Sequence, residues 1–233
     1  MLLSQGLKQP WPSYGSFVLV SGLAFGGMGL ADDIISLRRK HSTGLTGIQK
    51  ILVGSLIAIS LFMLFKEEIL VPQRIPFSSS HVILPPIVGF FLTWVLFVAS
   101  TNSANLTDGL DGLAGGISIL VLGGFAIAFP NNSNLLLTLP LIAALIGFLW
   151  LNAYPASLFM GDVGSFALGG IIGALALANG AAFLLPILAG VFVLEAASVI
   201  LQVGLLRLTG KRVFKMSPLH HHFEASPNNG RPH

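Results

Sequence analysis

Long apolar runs separated by short polar segments set the architecture of this 233-residue chain. Seven runs of helical length fall near 14–31, 47–65, 82–100, 113–129, 135–151, 166–179 and 183–206. Stretches 75–107, 112–161 and 163–194 contain no Asp, Glu, Lys or Arg. A membrane-crossing helix needs about 20 apolar residues, so the second of these stretches has room for two. Turn residues separate the runs: Pro72 and Pro76, Pro130 with Asn131 and Asn132, Asn152 with Pro155, and Asn179 with Gly180. The sixth run is short and the last is long. Glu195 inside the last one predicts either a break there or a face turned toward protein. The pattern predicts an all-α fold: a polytopic transmembrane helix bundle in one integral membrane domain, 1–233, with a polar tail over 225–233.

Composition supports this reading. The chain is 54% hydrophobic and 9% charged, with mean hydropathy +0.85, whereas a soluble domain carries roughly 25% charged residues. It has no cysteine, which excludes disulfides, thiolate chemistry and cysteine metal sites. The net charge is +3, but no basic stripe with interleaved aromatics points to nucleic acid. Met1–Ser16 lacks the basic start, apolar run and small-residue cleavage site of a signal peptide. If the loop after the first run is cytoplasmic, nine cations lie inside: Arg38, Arg39, Lys40, Lys50, Arg207, Lys211, Arg212, Lys215 and Arg231. Three lie outside: Lys8, Lys66 and Arg74. That bias orients the N-terminus outside and the C-terminus inside.

Chemistry concentrates in Ala31–Lys40 (ADDIISLRRK), Asn105–Gly112 (NLTDGLDG) and Asn152–Ser165 (NAYPASLFMGDVGS). Five of the nine acidic residues lie there: Asp32, Asp33, Asp108, Asp111 and Asp162. The predicted orientation brings all five, and Pro218–Glu224 (PLHHHFE), to the cytoplasmic side. Clustered carboxylates repel one another unless a cation sits among them. A hard divalent ion such as Mg²⁺ takes one or two carboxylates together with substrate phosphates. Arg38, Arg39, Lys40 and Lys50 suit an anionic substrate. Asp108 and Asp111, three apart, share a face if their segment is helical. Each piece also has a plainer reading. Asp32 and Asp33 could end a helix, Asp108 could cap the helix from Leu113, and Asp162 could sit in a turn. The histidines could be solvated or bind zinc, since imidazole is a poor Mg²⁺ ligand. Their coincidence on one face favours a Mg²⁺-dependent site for a phosphorylated substrate.

Four ordered segments, ADDIISLRRKHSTGLTGIQK (31–50), NLTDGLDGLAGG (105–116), NAYPASLFMGDVGSFALGG (152–170) and KRVFKMSPLHHHFE (211–224), resemble the polyprenyl-phosphate N-acetylhexosamine-1-phosphate transferases. PLHHHFE favours the muramoyl-pentapeptide branch. The resemblance implies a membrane enzyme of peptidoglycan synthesis in the bacterial inner membrane, with its site on the cytoplasmic face. The implied reaction takes UDP-N-acetylmuramoyl-pentapeptide and undecaprenyl phosphate to lipid I and UMP, with Mg²⁺ as cofactor. It implies catalytic roles for Asp32, Asp33, Asp162 and His221, with Asp162 as the metal ligand. Lys40, Lys50, Asp108, Asp111, Asn152, Phe159, His220 and His222 fall at substrate-binding positions, with Phe159 against the uracil ring. The lipid phosphate is largely dianionic near neutral pH, which favours direct attack. Asp33 as a covalent nucleophile is the competing mechanism.

Three departures stand out. About seven spans are present of an expected ten, because two earlier spans and one later span of the family are absent from this sequence. Ser36 replaces the lysine usual after the aspartate pair. These departures predict a fragment with little activity on its own. A relative using UDP-N-acetylglucosamine and a cation or proton transporter are the alternatives. A homodimer is compatible with the resemblance.

Overall fold

A computed structural model describes residues 11–39 and 44–224. Helix α1 runs over Trp11–Arg39 and α2 over Gly47–Leu64, followed by a short α3, Lys66–Ile69. Strands β1 (Gln73–Arg74) and β2 (His81–Val82) pair antiparallel, Gln73 opposite Val82 and Arg74 opposite His81. Then come α4 (Pro86–Thr107), α5 (Leu113–Ala128), α6 (Asn132–Asn152), α7 (Gly161–Ala178), α8 (Leu185–Leu188), α9 (Gly190–Thr209) and α10 (Leu219–Glu224). Six of these helices are long and apolar enough to cross a membrane, and α5 is a shorter apolar helix. The bundle is therefore polytopic and all but entirely helical, as the apolar runs predict.

Local chemistry sets the ends. Thr46 and Gln49 form a reciprocal capping box at the start of α2. Pro86 occupies the first turn of α4, where its missing N–H costs nothing. Asn131 caps α6 by accepting from the Asn134 N–H. Gly210 closes α9 in the left-handed region. The final apolar run is interrupted, but at Ala189 rather than at Glu195. Glu195 is buried, turned toward protein, so the second of the two predicted readings holds.

Helix α7 is the axis of the bundle: 72% of its span is buried, against 22% for α2, α6 and α9. In lipid, helices associate through close packing, which small residues permit. Gly22, Gly26 and Gly29 line one face of α1 and meet Ile171, Ala167 and the Asp162 backbone of α7. Gly169 approaches the Thr101 backbone of α4, and Gly170 lies on Phe25 and the Ser21 carbonyl. Phe17, Phe25, Phe97 and Phe166 are fully buried among these helices. At one end, Tyr14, Asn134 and Asn179 form a buried network: Asn179 Nδ2 donates to Tyr14 Oη at 2.8 Å, and Tyr14 Oη donates to Asn134 Oδ1 at 3.1 Å. Tyr14 and Asp32 are separated by ~27 Å of helix rise, close to the ~30 Å hydrocarbon thickness. The aspartates therefore lie at the opposite membrane surface from this network.

Candidate active site

The glycine face of α1 positions the first two carboxylates. Gly29 packs on the Asp162 backbone so closely that a methyl there would overlap the Asp162 carbonyl oxygen. One turn further on, Asp32 and Asp33 therefore reach the first turn of α7. Helix α1 continues to Arg39, so the aspartate pair does not end it. The Asp33 carboxylate accepts from the Val163 N–H at 3.3 Å, where the positive end of the α7 dipole favours an anion. Gly161, at φ 66°, makes the sharp entry into α7 beside that carboxylate. Asp162 is in the first turn of α7, not in a free turn.

Asp32 is buried and accepts from the Leu45 N–H, which ties the segment before α2 to the end of α1. Lys50, in the first turn of α2, lies between two carboxylates: Nζ is 3.0 Å from Asp32 Oδ2 and 2.6 Å from Asp162 Oδ2. The other oxygen of Asp162 accepts from Asn105 Nδ2 at 2.8 Å, and the same amide reaches Ser165 Oγ at 3.1 Å. Asp32, Asp33 and Asp162 each offer an oxygen within 4.8 Å of the other two. Three carboxylates against one ammonium leave a net negative charge. The donors are all hard oxygens on a rigid helix pair, a set that fits Mg²⁺ and not a soft metal.

Asp108 is the C-cap of α4, and Gly112 is the residue that precedes α5, so Asp108 does not cap α5. Residues 108–112 are turns, and Asp108 and Asp111 share no helical face. Burial, and then the charges of Asp162 and Asp33, push the Asp108 carboxyl up to about 7. Asp111 is engaged differently, accepting from the Ala156 N–H at 2.9 Å. Asn152 is buried. Its Oδ1 accepts from the Gly112 N–H at 3.0 Å and its Nδ2 donates to the Leu158 carbonyl at 2.8 Å. Asp111 and Asn152 together pin the Ala153–Met160 loop to the 108–112 turn. That loop carries Phe159, 72% exposed. Lys40 lies outside the described residues.

The histidines separate. His220 is buried, with Nδ1 3.1 Å from Glu195 Oε2, and its own N–H also donates to that oxygen at 3.3 Å. His221 pairs with Glu224 at 3.0 Å near the surface. His222 Nδ1 accepts from the Lys215 N–H at 3.1 Å. Among the described residues the three rings do not converge into a group of metal-ligand atoms, which argues against a zinc tract. Asn105, Glu195 and Gln202 escaped sequence reasoning as site residues. The signal for the last two was available: Glu195, Ser198 and Gln202 fall at i, i+3 and i+7 of an apolar helix, which is one face. All three are buried. Gln202 Oε1 accepts from the Val213 and Phe214 N–H groups, so this polar face docks the 211–224 segment onto α9.

Residues 16–180 match glycosyl transferase family 4. A relative from Caldanaerobacter subterraneus subsp. tengcongensis, named phospho-N-acetylmuramoyl-pentapeptide-transferase, is 42% identical over 96% of this chain and 72% of its own length. One of the same name from Rubrobacter xylanophilus is 40% identical over 94% of this chain and 69% of its own. One from Clostridium novyi is 43% identical over 88% of this chain and 64% of its own. The ordered motifs, the helical bundle and these identities agree: the chain belongs to glycosyl transferase family 4, alongside the phospho-N-acetylmuramoyl-pentapeptide-transferases.

Proposed function

We propose that this chain forms the core of a phosphoglycosyl transfer site. In this reading it moves phospho-N-acetylmuramoyl-pentapeptide from its UDP derivative to undecaprenyl phosphate, releasing UMP at the cytoplasmic surface of the bacterial inner membrane. The carrying observation is the convergence of Asp32, Asp33, Asp162 and Lys50 at the junction of α1, α2 and α7. Phosphoryl transfer calls for positioning and charge neutralisation more than for covalent help from protein. Asp162, with Asp32 and Asp33, would hold Mg²⁺. When bound, that ion supplies neutralisation of the substrate phosphates. Lys50 adds a cation that an anionic diphosphate can use. Asp33, fixed by the Val163 N–H, holds its place while the phosphates approach. Exposed Phe159 offers a stacking face for a uracil ring. An apolar cavity of about 280 Å³ between α4, α7, α8 and α9, lined in part by Leu96, Ala99, Ile172, Phe183 and Phe192, suits a hydrocarbon chain.

The transporter alternative has no support from the site. The carboxylates gather toward one end of the bundle, where α1 meets the first turn of α7, whereas a transport site sits near the midplane on broken helices. The test is UMP release by a full-length relative carrying residues 11–224 of this chain, in mild detergent with Mg²⁺, undecaprenyl phosphate and the UDP-sugar-pentapeptide, against the same protein with Asp162→Asn. Asn keeps the shape and loses the charge, so the variant is expected to lose turnover and metal binding together. Wild-type Mg²⁺ dependence in Asp162→Asn would overturn the metal assignment.

A further inference from the structure

A carboxylate buried in a membrane-crossing helix is costly, and Glu195 spends one oxygen twice on a single residue. That oxygen can only accept. The facing Nδ1 of His220 therefore carries its proton, a tautomer fixed by the partner. The other ring nitrogen, Nε2, is buried and has no hydrogen-bond partner among the described residues. In the neutral ring with its proton on Nδ1, Nε2 presents a bare lone pair. The ring abuts Gly109, where a methyl would overlap Nε2. Gly109 is itself exposed and belongs to the turn that also carries Asp108 and Asp111.

We propose that Glu195 is a positioning residue for the transfer site: it holds His220 so that the Nε2 lone pair faces the 105–112 turn and accepts a hydrogen bond from an O–H or N–H of the sugar substrate. The proposal rests on the transferase reading. It places the acceptor on His220, whose ring is buried against Gly109, rather than on His221, which lies nearer the surface. A phosphate oxygen without a proton cannot make this contact, so the sugar or its acetamido group is the class recognised. Glu195 acts only through His220. Gln202 on the same face keeps the connecting segment docked.

The first test needs no substrate. In ¹⁵N-histidine-labelled chain, His220, assigned by its loss in His220→Gln, is expected to show a protonated Nδ1 and a bare Nε2. Glu195→Ala is expected to mix the tautomers. Glu195→Gln is expected to restore the wild-type pattern, because an amide oxygen can still accept. An unchanged tautomer in Glu195→Ala would overturn the positioning role. The second test reads turnover. Glu195→Ala is expected to raise KM for the UDP-sugar about tenfold, the loss of one hydrogen bond, with KM for the lipid phosphate unchanged and Glu195→Gln near wild type. If Glu195→Ala does not fold, Gly109→Ala displaces the ring without touching Glu195 and is expected to raise the same KM. Unchanged KM for the UDP-sugar would refute the contact. A correct tautomer, with no turnover when residues 11–224 stand in place of their counterpart in a full-length relative, would count against the transferase reading, and the substrate contact would fall with it.

Discussion

A divalent ion held by Asp32 and Asp162 must take oxygens that Lys50 already occupies at 3.0 and 2.6 Å. The ammonium is thus a resident competitor for the site. Lys50→Met should therefore tighten metal binding, even as it removes a cation that the proposed transfer uses. Two charges about 4 Å apart at an effective dielectric of about 20 interact by about 4 kcal/mol, and a divalent ion doubles this. Lys50 keeps 18% of its side-chain surface exposed. Its long, flexible stem lets the ammonium swing away as the metal enters. These effects return most of the repulsion. A residue of about 1.5–3 kcal/mol corresponds to roughly ten- to hundredfold tighter binding. The assay is Mn²⁺ titration followed by electron paramagnetic resonance, on purified chain without substrate. Lys50→Arg keeps the charge and is expected to bind Mn²⁺ much as wild type does. Equal or weaker binding by Lys50→Met would refute the competition. No Mn²⁺ binding by either chain would remove the metal site itself.

Asp108 gives a pH-dependent prediction. Its carboxyl is raised to about 7 in the fold, from 3.8, so the folded state binds the extra proton. The associated stability is fully present below about 4 and is lost as pH rises through about 7. Asp108→Asn should therefore raise the stability of the metal-free chain at pH 8 by roughly 1–2 kcal/mol, discounted for its partial exposure, and change little at pH 5. Thermal unfolding in chelator at the two pH values checks this, and a larger gain at pH 5 would contradict it. Gly29→Ala should cost about 2 kcal/mol or more, because backbone cannot yield as a side-chain tip can. It should lower Mn²⁺ affinity with it, and loss of stability alone would separate packing from site geometry. For orientation, a cysteine at exposed Ser79 should react with an impermeant thiol reagent on whole cells, whereas one at exposed Ser157 should not. Labelling at Ser157 would reverse the topology.

The apolar runs made the helices legible, because lipid demands length and apolarity and both are visible in a linear string. The carboxylates were legible as a group for the complementary reason: charge is rare here, so its clustering shows. Their geometry was not. Asp32 and Asp33 read as helix ends, yet α1 continues to Arg39, and the partners of Asp32, Lys50 and the Leu45 N–H, come from α2 and its approach. Asp108 reads as a cap on α5, yet the chain turns once more, and Gly112 takes that place with a positive φ. Asn152 reads as a ligand contact, and its amide is committed to two backbone groups. Glu195 was visible as an anomaly. Its partner could not be inferred, because His220 lies 25 residues further along on a separate short helix.

The pairing of α1 with α7 also has a consequence for biogenesis. Asp33 and its backbone partner Val163 are 130 residues apart. At roughly 5–20 residues per second, the ribosome delivers the first of them about 7–26 s before the second. Through that interval the glycine-lined face of α1 rests in the membrane without its mate, and Asp32 and Asp33 wait without the α7 N-terminus. Substitutions that fill this face would then act twice, once on the finished bundle and once on the partner α1 accepts while it waits. A nascent-chain crosslinking series along α4 to α7 would show whether α1 stays unpaired until Gly161–Ala178 has emerged.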